Sequence, residues 1–90
     1  MTLIGNDYRW NAEVQIQIDS FGVDRVYGCD LDATANYADA AAGLGVHAVT
    51  VGADDDLDMA LATAMAQDGP ACLNILIDSY AAPKFVPLKL

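Results

Sequence analysis

Two hydrophobic periods alternate along this chain, and they divide it into strands and helices. Thr2-Leu3-Ile4 is a short, largely apolar run, and Gly5-Asn6-Asp7 is a polar break. That is the pattern of a buried strand ending in a turn. From Trp10 to Phe21 two periods compete. Val14-Gln15-Ile16-Gln17-Ile18 alternates as a strand would, whereas Trp10, Val14, Ile18 and Phe21 recur at helical steps. The polar turn before and Gly22 after favour the helix, although the β-branched residues weaken it. Val23 to Leu31 reads as connecting chain punctuated by Gly28. Asp32 reads as the N-cap of a second helix, with Ala35, Ala38, Ala41, Ala42 and Leu44 as a narrow apolar face and Gly45 as the stop.

Val46-His47-Ala48-Val49-Thr50-Val51 is a run of β-formers, and Gly52 to Asp56 is a turn and cap. Leu57, Ala60, Leu61, Ala64 and Met65 predict a third helix, closed by Asp68-Gly69-Pro70. Ala71 to Ile77 is nearly continuous apolar sequence broken only by Asn74, as in a strand covered on both faces. This order predicts an α/β fold: three layers, a mostly parallel sheet, flanking helices and right-handed crossovers. Residues from Ser79 on, with Pro83 and Pro87, read as a tail. The expected division is a domain over 1–80 and a tail over 81–90.

Composition narrows the function classes. Ninety residues allow one domain at most, and a chain of that length buries only about 60% of its unfolded surface. The 54% hydrophobic content and mean hydropathy of +0.26 suit a piece whose sheet is covered by more protein. A net charge of −9 repels phosphate backbones and anionic lipid, so no nucleic-acid and no membrane partner is expected. No apolar run reaches the roughly 18 residues of a transmembrane helix, and the N-terminus shows no signal-peptide pattern. The expected location is cytoplasmic. Cys29 and Cys72 lack metal-ligand spacing and read as two reduced, partly buried thiols.

The stretch Ile4-Gly5-Asn6-Asp7-Tyr8-Arg9-Trp10-Asn11-Ala12-Glu13 resembles the thiamine diphosphate-dependent enzymes of the acetolactate synthase and benzaldehyde lyase group. It looks like the second half of their bipartite cofactor motif, which opens with Gly-Asp-Gly and closes with Asn-Asn or Gly-Asn. The likeness runs to near Lys84. It implies that Asn6 holds Mg²⁺ through its side-chain oxygen and Tyr8 through its backbone carbonyl, with Gly5 standing where many members have the first Asn. Hard oxygen donors of this kind suit Mg²⁺. No Gly-Asp-Gly precedes the motif, since only five residues precede Asn6. The family's Asp ligand, diphosphate loop and catalytic Glu are therefore expected from elsewhere. The resemblance implies the C-terminal part of a cofactor-binding domain.

Other candidates have plainer readings. Asn6 itself could be a turn residue. Asp7 reads as a first-turn carboxylate favoured by the helix dipole. Trp10 reads as core packing, and Arg9 as a solvated side chain. A helix opening after Asn6 would favour an anion such as diphosphate at its N-terminus. His47, the sole histidine, has no Ser or Cys partner at triad spacing and reads as a structural mid-strand residue. Asp54-Asp55-Asp56 lacks the spread ligands of a calcium loop and reads as a capped helix start. Asp19, Asp24, Asp30, Asp32 and Asp39 read as solvated surface.

Two functional expectations follow. In the first, the chain supplies half the Mg²⁺–diphosphate anchor of a thiamine diphosphate-dependent lyase or decarboxylase acting on a 2-keto acid or aldehyde. It would be inactive alone, completed by upstream sequence or a second subunit in a homo-oligomer. In the second, it is a truncated or stand-alone small α/β protein that binds no cofactor by itself. A module for another nucleotide ranks below both, because no G-x-G-x-x-G loop is present.

Overall fold

The computed structural model describes residues 1–79. The tail expected over 81–90 lies outside the described residues. The elements run β1 (Thr2–Asn6), α1 (Asn11–Phe21), a short 3-10 helix (Val23–Arg25), α2 (Tyr37–Gly43), β2 (His47–Val51), α3 (Leu57–Met65) and β3 (Ala71–Leu76). They fall into two compact units. The first is Met1–Asp7 with Asp32–Ile77, and the second is Tyr8–Leu31 with Asp78 and Ser79.

The first unit is the expected α/β layer structure. Its strands form a parallel sheet in the order β1-β3-β2. β3 is central because it alone is apolar enough to be covered on both faces: Ala71 to Asn74 are all buried, with Leu73 at 0% exposure. β1 pairs it from Thr2↔Cys72 to Asn6↔Leu76, and β2 from His47↔Ala71 to Val51↔Ile75. The chain crosses β3 to reach β2 and then turns back. Right-handed crossovers in opposite directions put their helices on opposite faces of the sheet. α3 covers the Leu73 face, where Ala60, Leu61 and Ala64 meet Ala71, Leu73 and Ile75.

β1 runs further than expected. Gly5 and Asn6 read as a break, yet both pair with β3, opposite Ile75 and Leu76. α2 starts later than expected. Asp32 is not its N-cap, because its carboxylate is taken by Thr34, whose N–H and Oγ1 both donate to it. Asn36 caps α2 instead, accepting from the Asp39 N–H. Of the predicted small face, Ala38 is buried and Ala35 and Ala41 are half-buried, while Ala42 and Leu44 are exposed. The stop is as expected. Gly45 takes φ +87°, its N–H bonds Ala42 O and the Val46 N–H bonds Ala41 O. That paired closure needs a residue tolerant of positive φ. α3 is capped by Asp56, which accepts from the Met59 N–H, and it ends at Met65, short of Asp68-Gly69-Pro70.

The second unit holds α1, so the helical period prevails over the alternating one. Only Val14 of α1 is buried. Trp10, read as core, is 61% exposed, because it is the N-cap and stands outside the helical turn. The connecting chain contains the unforeseen 3-10 helix. The unit is pinned at its base by an antiparallel bridge between Arg9 and Asp30. There the Trp10 N–H donates to Cys29 O and the Leu31 N–H to Tyr8 O, both at 2.8 Å. Cys29 and Cys72 are free thiols, and both are buried rather than partly buried.

Candidate functional site

Parallel strands place their carboxyl ends on one edge, here Asn6, Val51 and Leu76. Ligands of open α/β sheets sit outside that edge. Asn6 closes β1 and is 5% exposed. An amide buried without partners costs about 1–3 kcal/mol, so its partners matter. Its Nδ2 donates to Asn74 Oδ1 at 3.1 Å, and Asn74 Nδ2 donates on to Thr50 Oγ1 at 3.3 Å. Asn74 lies directly opposite Ile4 and Thr50, so Asn6 reaches it diagonally, two residues back from its own partner Leu76. The period of two puts all three side chains on the face away from Leu73. A polar row thus crosses all three strands, with Asn74, 1% exposed, at its centre. The backbone carbonyl of Asn6 accepts from the Ile77 N–H.

Gly5 faces the other way. A Cβ there would lie 3.3 Å from Ile77 Cδ1, so the strand end is closely packed at this point. Tyr8 opens the second unit at φ +56°, a left-handed conformation uncommon for a residue with a Cβ. Its carbonyl accepts the Leu31 N–H. A carbonyl oxygen carries two lone pairs, so that bond does not exclude a cation.

Several expected roles change. Asp7 precedes α1, which begins at Asn11, and the first-turn carboxylate is Glu13. Arg9 is not merely solvated: its Nε pairs with Asp30 Oδ1 at 2.9 Å. The N-cap of α1 makes no side-chain hydrogen bond. His47 is the first residue of β2, not a mid-strand one, and so lies at the edge opposite Asn6. Asp55 accepts the Gly52 N–H and Asp56 caps α3, which supports the helix-start reading of that acidic run. Among the described residues, no three His, Cys, Asp or Glu side chains converge to hold a metal. Among the described residues, no helix is long and apolar enough to cross a membrane. Sequence reasoning missed Asn74 and Thr50. The signal was there: Asn74 is the one polar residue in the most apolar strand.

The family model for the thiamine pyrophosphate enzyme, C-terminal TPP binding domain, matches residues 1–75. The chain belongs to that family. The match takes in both crossovers of the sheet and the polar row. No solved structure matches the chain. The TPP-binding domain is therefore known here by its family and its α/β layering together.

By type, the amide oxygen of Asn6 and the peptide oxygen of Tyr8 are each oxygens that a magnesium diphosphate would accept as donors. The buried NH₂ of Asn6 is committed to Asn74, which turns the oxygen end of the amide to other partners. Amide and peptide oxygens are hard donors of the type Mg²⁺ takes. Two neutral oxygens do not balance a divalent cation. The remaining charge would come from the diphosphate and from a carboxylate, and the 90 residues hold no Gly-Asp-Gly to carry one.

Proposed function

We propose that this TPP-binding domain supplies the Mg²⁺–diphosphate-anchoring half of a thiamine diphosphate site, in an enzyme of the acetolactate synthase and benzaldehyde lyase kind. Asn6, through its side-chain oxygen, and Tyr8, through its backbone carbonyl, are the metal donors. Gly5 keeps the strand end narrow beside Asn6. The observation that carries this reading is Asn6 itself: a buried amide at the carboxyl end of β1, held by its nitrogen end, inside the matched range. Thiamine diphosphate, when bound, supplies the carbon chemistry on a 2-keto acid or aldehyde. Asn6 and Tyr8 bind and orient, and neither does the carbon chemistry.

The other half of the site, with its carboxylate, comes from further sequence of the same enzyme or from a second subunit in a homo-oligomer. The chain by itself does not turn over substrate. A reducing, cytoplasmic setting belongs to the same proposal and accords with the two unbridged thiols.

The test is calorimetric titration with Mg²⁺ and thiamine diphosphate, first of the chain alone and then with a polypeptide carrying the Gly-Asp-Gly half-motif. Saturable Mg²⁺-dependent binding in the mixture, lost in Asn6→Ala, is the expected result. Equal affinity in the Asn6→Ala protein overturns the assignment.

A further inference from the structure

The polar row across the sheet has a direction, and that direction decides what Asn6 presents. In the structure Asn6 Nδ2 donates to Asn74 Oδ1, and Asn74 Nδ2 donates to Thr50 Oγ1. A hydroxyl both donates and accepts, and an amide does one at each end. The same contacts could therefore run in reverse. Thr50 would then donate to Asn74 Oδ1, and Asn74 Nδ2 to Asn6 Oδ1. Both directions satisfy the two contacts, but they are not equivalent for a cation. The first spends the NH₂ of Asn6 inside the sheet. The second spends the oxygen there and turns the NH₂, with its partial positive charge, outward.

We propose that Asn74, backed by Thr50, is a positioning residue that holds the Asn6 amide in the sense the structure shows, NH₂ inward and oxygen outward, for a hard divalent cation. The inference rests on the reading of Asn6 as a metal donor. The geometry gives Asn74 the means. It is 1% exposed on the central strand, so its amide is shielded from bulk solvent. Thr50 lies directly opposite it on β2 and Asn6 diagonally on β1, so the two contacts hold both ends of its amide. Low-dielectric surroundings strengthen such a chain and penalise a broken one.

The experiment uses NMR on the 90-residue chain, following solvent exchange of the Asn6 side-chain NH₂, with Mn²⁺ as the metal probe. In the unsubstituted chain this NH₂ should exchange slowly. Asn74→Leu should speed its exchange at least tenfold with the backbone spectrum preserved. Asn74→Asp keeps an acceptor opposite Asn6 and should keep exchange slow. Thr50→Val, at an exposed position, leaves Asn74 without its acceptor and should speed exchange about threefold. It decides the matter should Asn74→Leu fail to fold. Unchanged exchange in Asn74→Leu, or in Thr50→Val where that variant decides, overturns the positioning role. With thiamine diphosphate and the polypeptide carrying the Gly-Asp-Gly half-motif added, Mn²⁺ should selectively broaden the Asn6 signals, and Asn74→Leu should need at least tenfold more Mn²⁺ for the same effect. A slow-exchanging NH₂ with no Mn²⁺ response at Asn6 overturns the metal assignment while the relay stands. The two failures are thus told apart.

Discussion

Gln17 and Tyr27 exchange two hydrogen bonds: Gln17 Nε2 donates to the Tyr27 carbonyl at 3.1 Å, and the Tyr27 N–H donates to Gln17 Oε1 at 2.7 Å. One side chain on α1 thus does for Tyr27 what a neighbouring strand would do. It fastens the loop after the 3-10 helix to the helix that precedes it. Gln17→Leu removes both bonds. A net loss of about 1 kcal/mol is expected, at the low end of two neutral bonds because the site is exposed. Amide exchange at Tyr27 should rise with it. Unchanged protection of that amide would show that the loop is held by other contacts.

Asp56 and Asp55 are neighbours with separable jobs. Asp56 accepts from the Met59 N–H as the cap of α3, and Asp55 accepts from the Gly52 N–H in the turn before it. Asp56→Ala should cost about 1 kcal/mol in chemical denaturation. Asp55→Ala should cost less, since it loosens a turn and leaves the helix end capped. Neither change should alter Mg²⁺-dependent cofactor binding. Loss of that binding in Asp55→Ala would bring the acidic run into the metal site.

His47 carries a buried Nε2 with no hydrogen-bond partner among the described residues. An unmet polar atom is a standing cost, and replacing it by an apolar ring of similar shape removes that cost. His47→Phe is expected to be neutral or to gain up to about 1 kcal/mol, read from the denaturation midpoint. Its position at the edge opposite Asn6 predicts unchanged cofactor binding. A clear destabilisation would show that the imidazole is needed where it stands.

Thr34 sets the acidity of Asp32. Its hydroxyl and then its backbone N–H donate to the Asp32 carboxylate and hold it below the ordinary carboxylate value. The folded value is the lower one, so the contribution is present above the unfolded value and is lost as pH falls through the folded one. Thr34→Ala should move the Asp32 titration back up, as followed by carboxyl carbon shifts. The group is fully exposed, so the shift should appear in the titration far more clearly than in the stability.

Much of the first unit was legible in the sequence because its signals are local. Gly45 stops α2 through its own φ, and Asp56 caps α3 from the turn beside it. The apolar run of β3 announced a strand covered on both faces. The cap of α2 was misread for an equally local reason. Asp32 and Asn36 can both cap a helix, and the choice turned on Thr34, whose hydroxyl and N–H engage Asp32 in a turn of its own. Trp10 was misread because the step-of-four pattern counts it into α1, whereas it is the N-cap and stands outside the helical turn.

The candidate site divides along the same line. Sequence alone marked Gly5, Asn6 and Tyr8, because the motif they resemble is a contiguous stretch. It also determined the succession of strands and helices, which follows from hydrophobic period and turn chemistry within a few residues. Tertiary structure decided the strand order β1-β3-β2, the continuation of β1 through Asn6, and the meeting of Asn6 with Asn74 and Thr50. Asn6 and Asn74 are 68 residues apart in the chain. No local period links positions at that distance. They meet because a parallel sheet requires crossovers, and the crossovers bring the last described strand to lie between the first two.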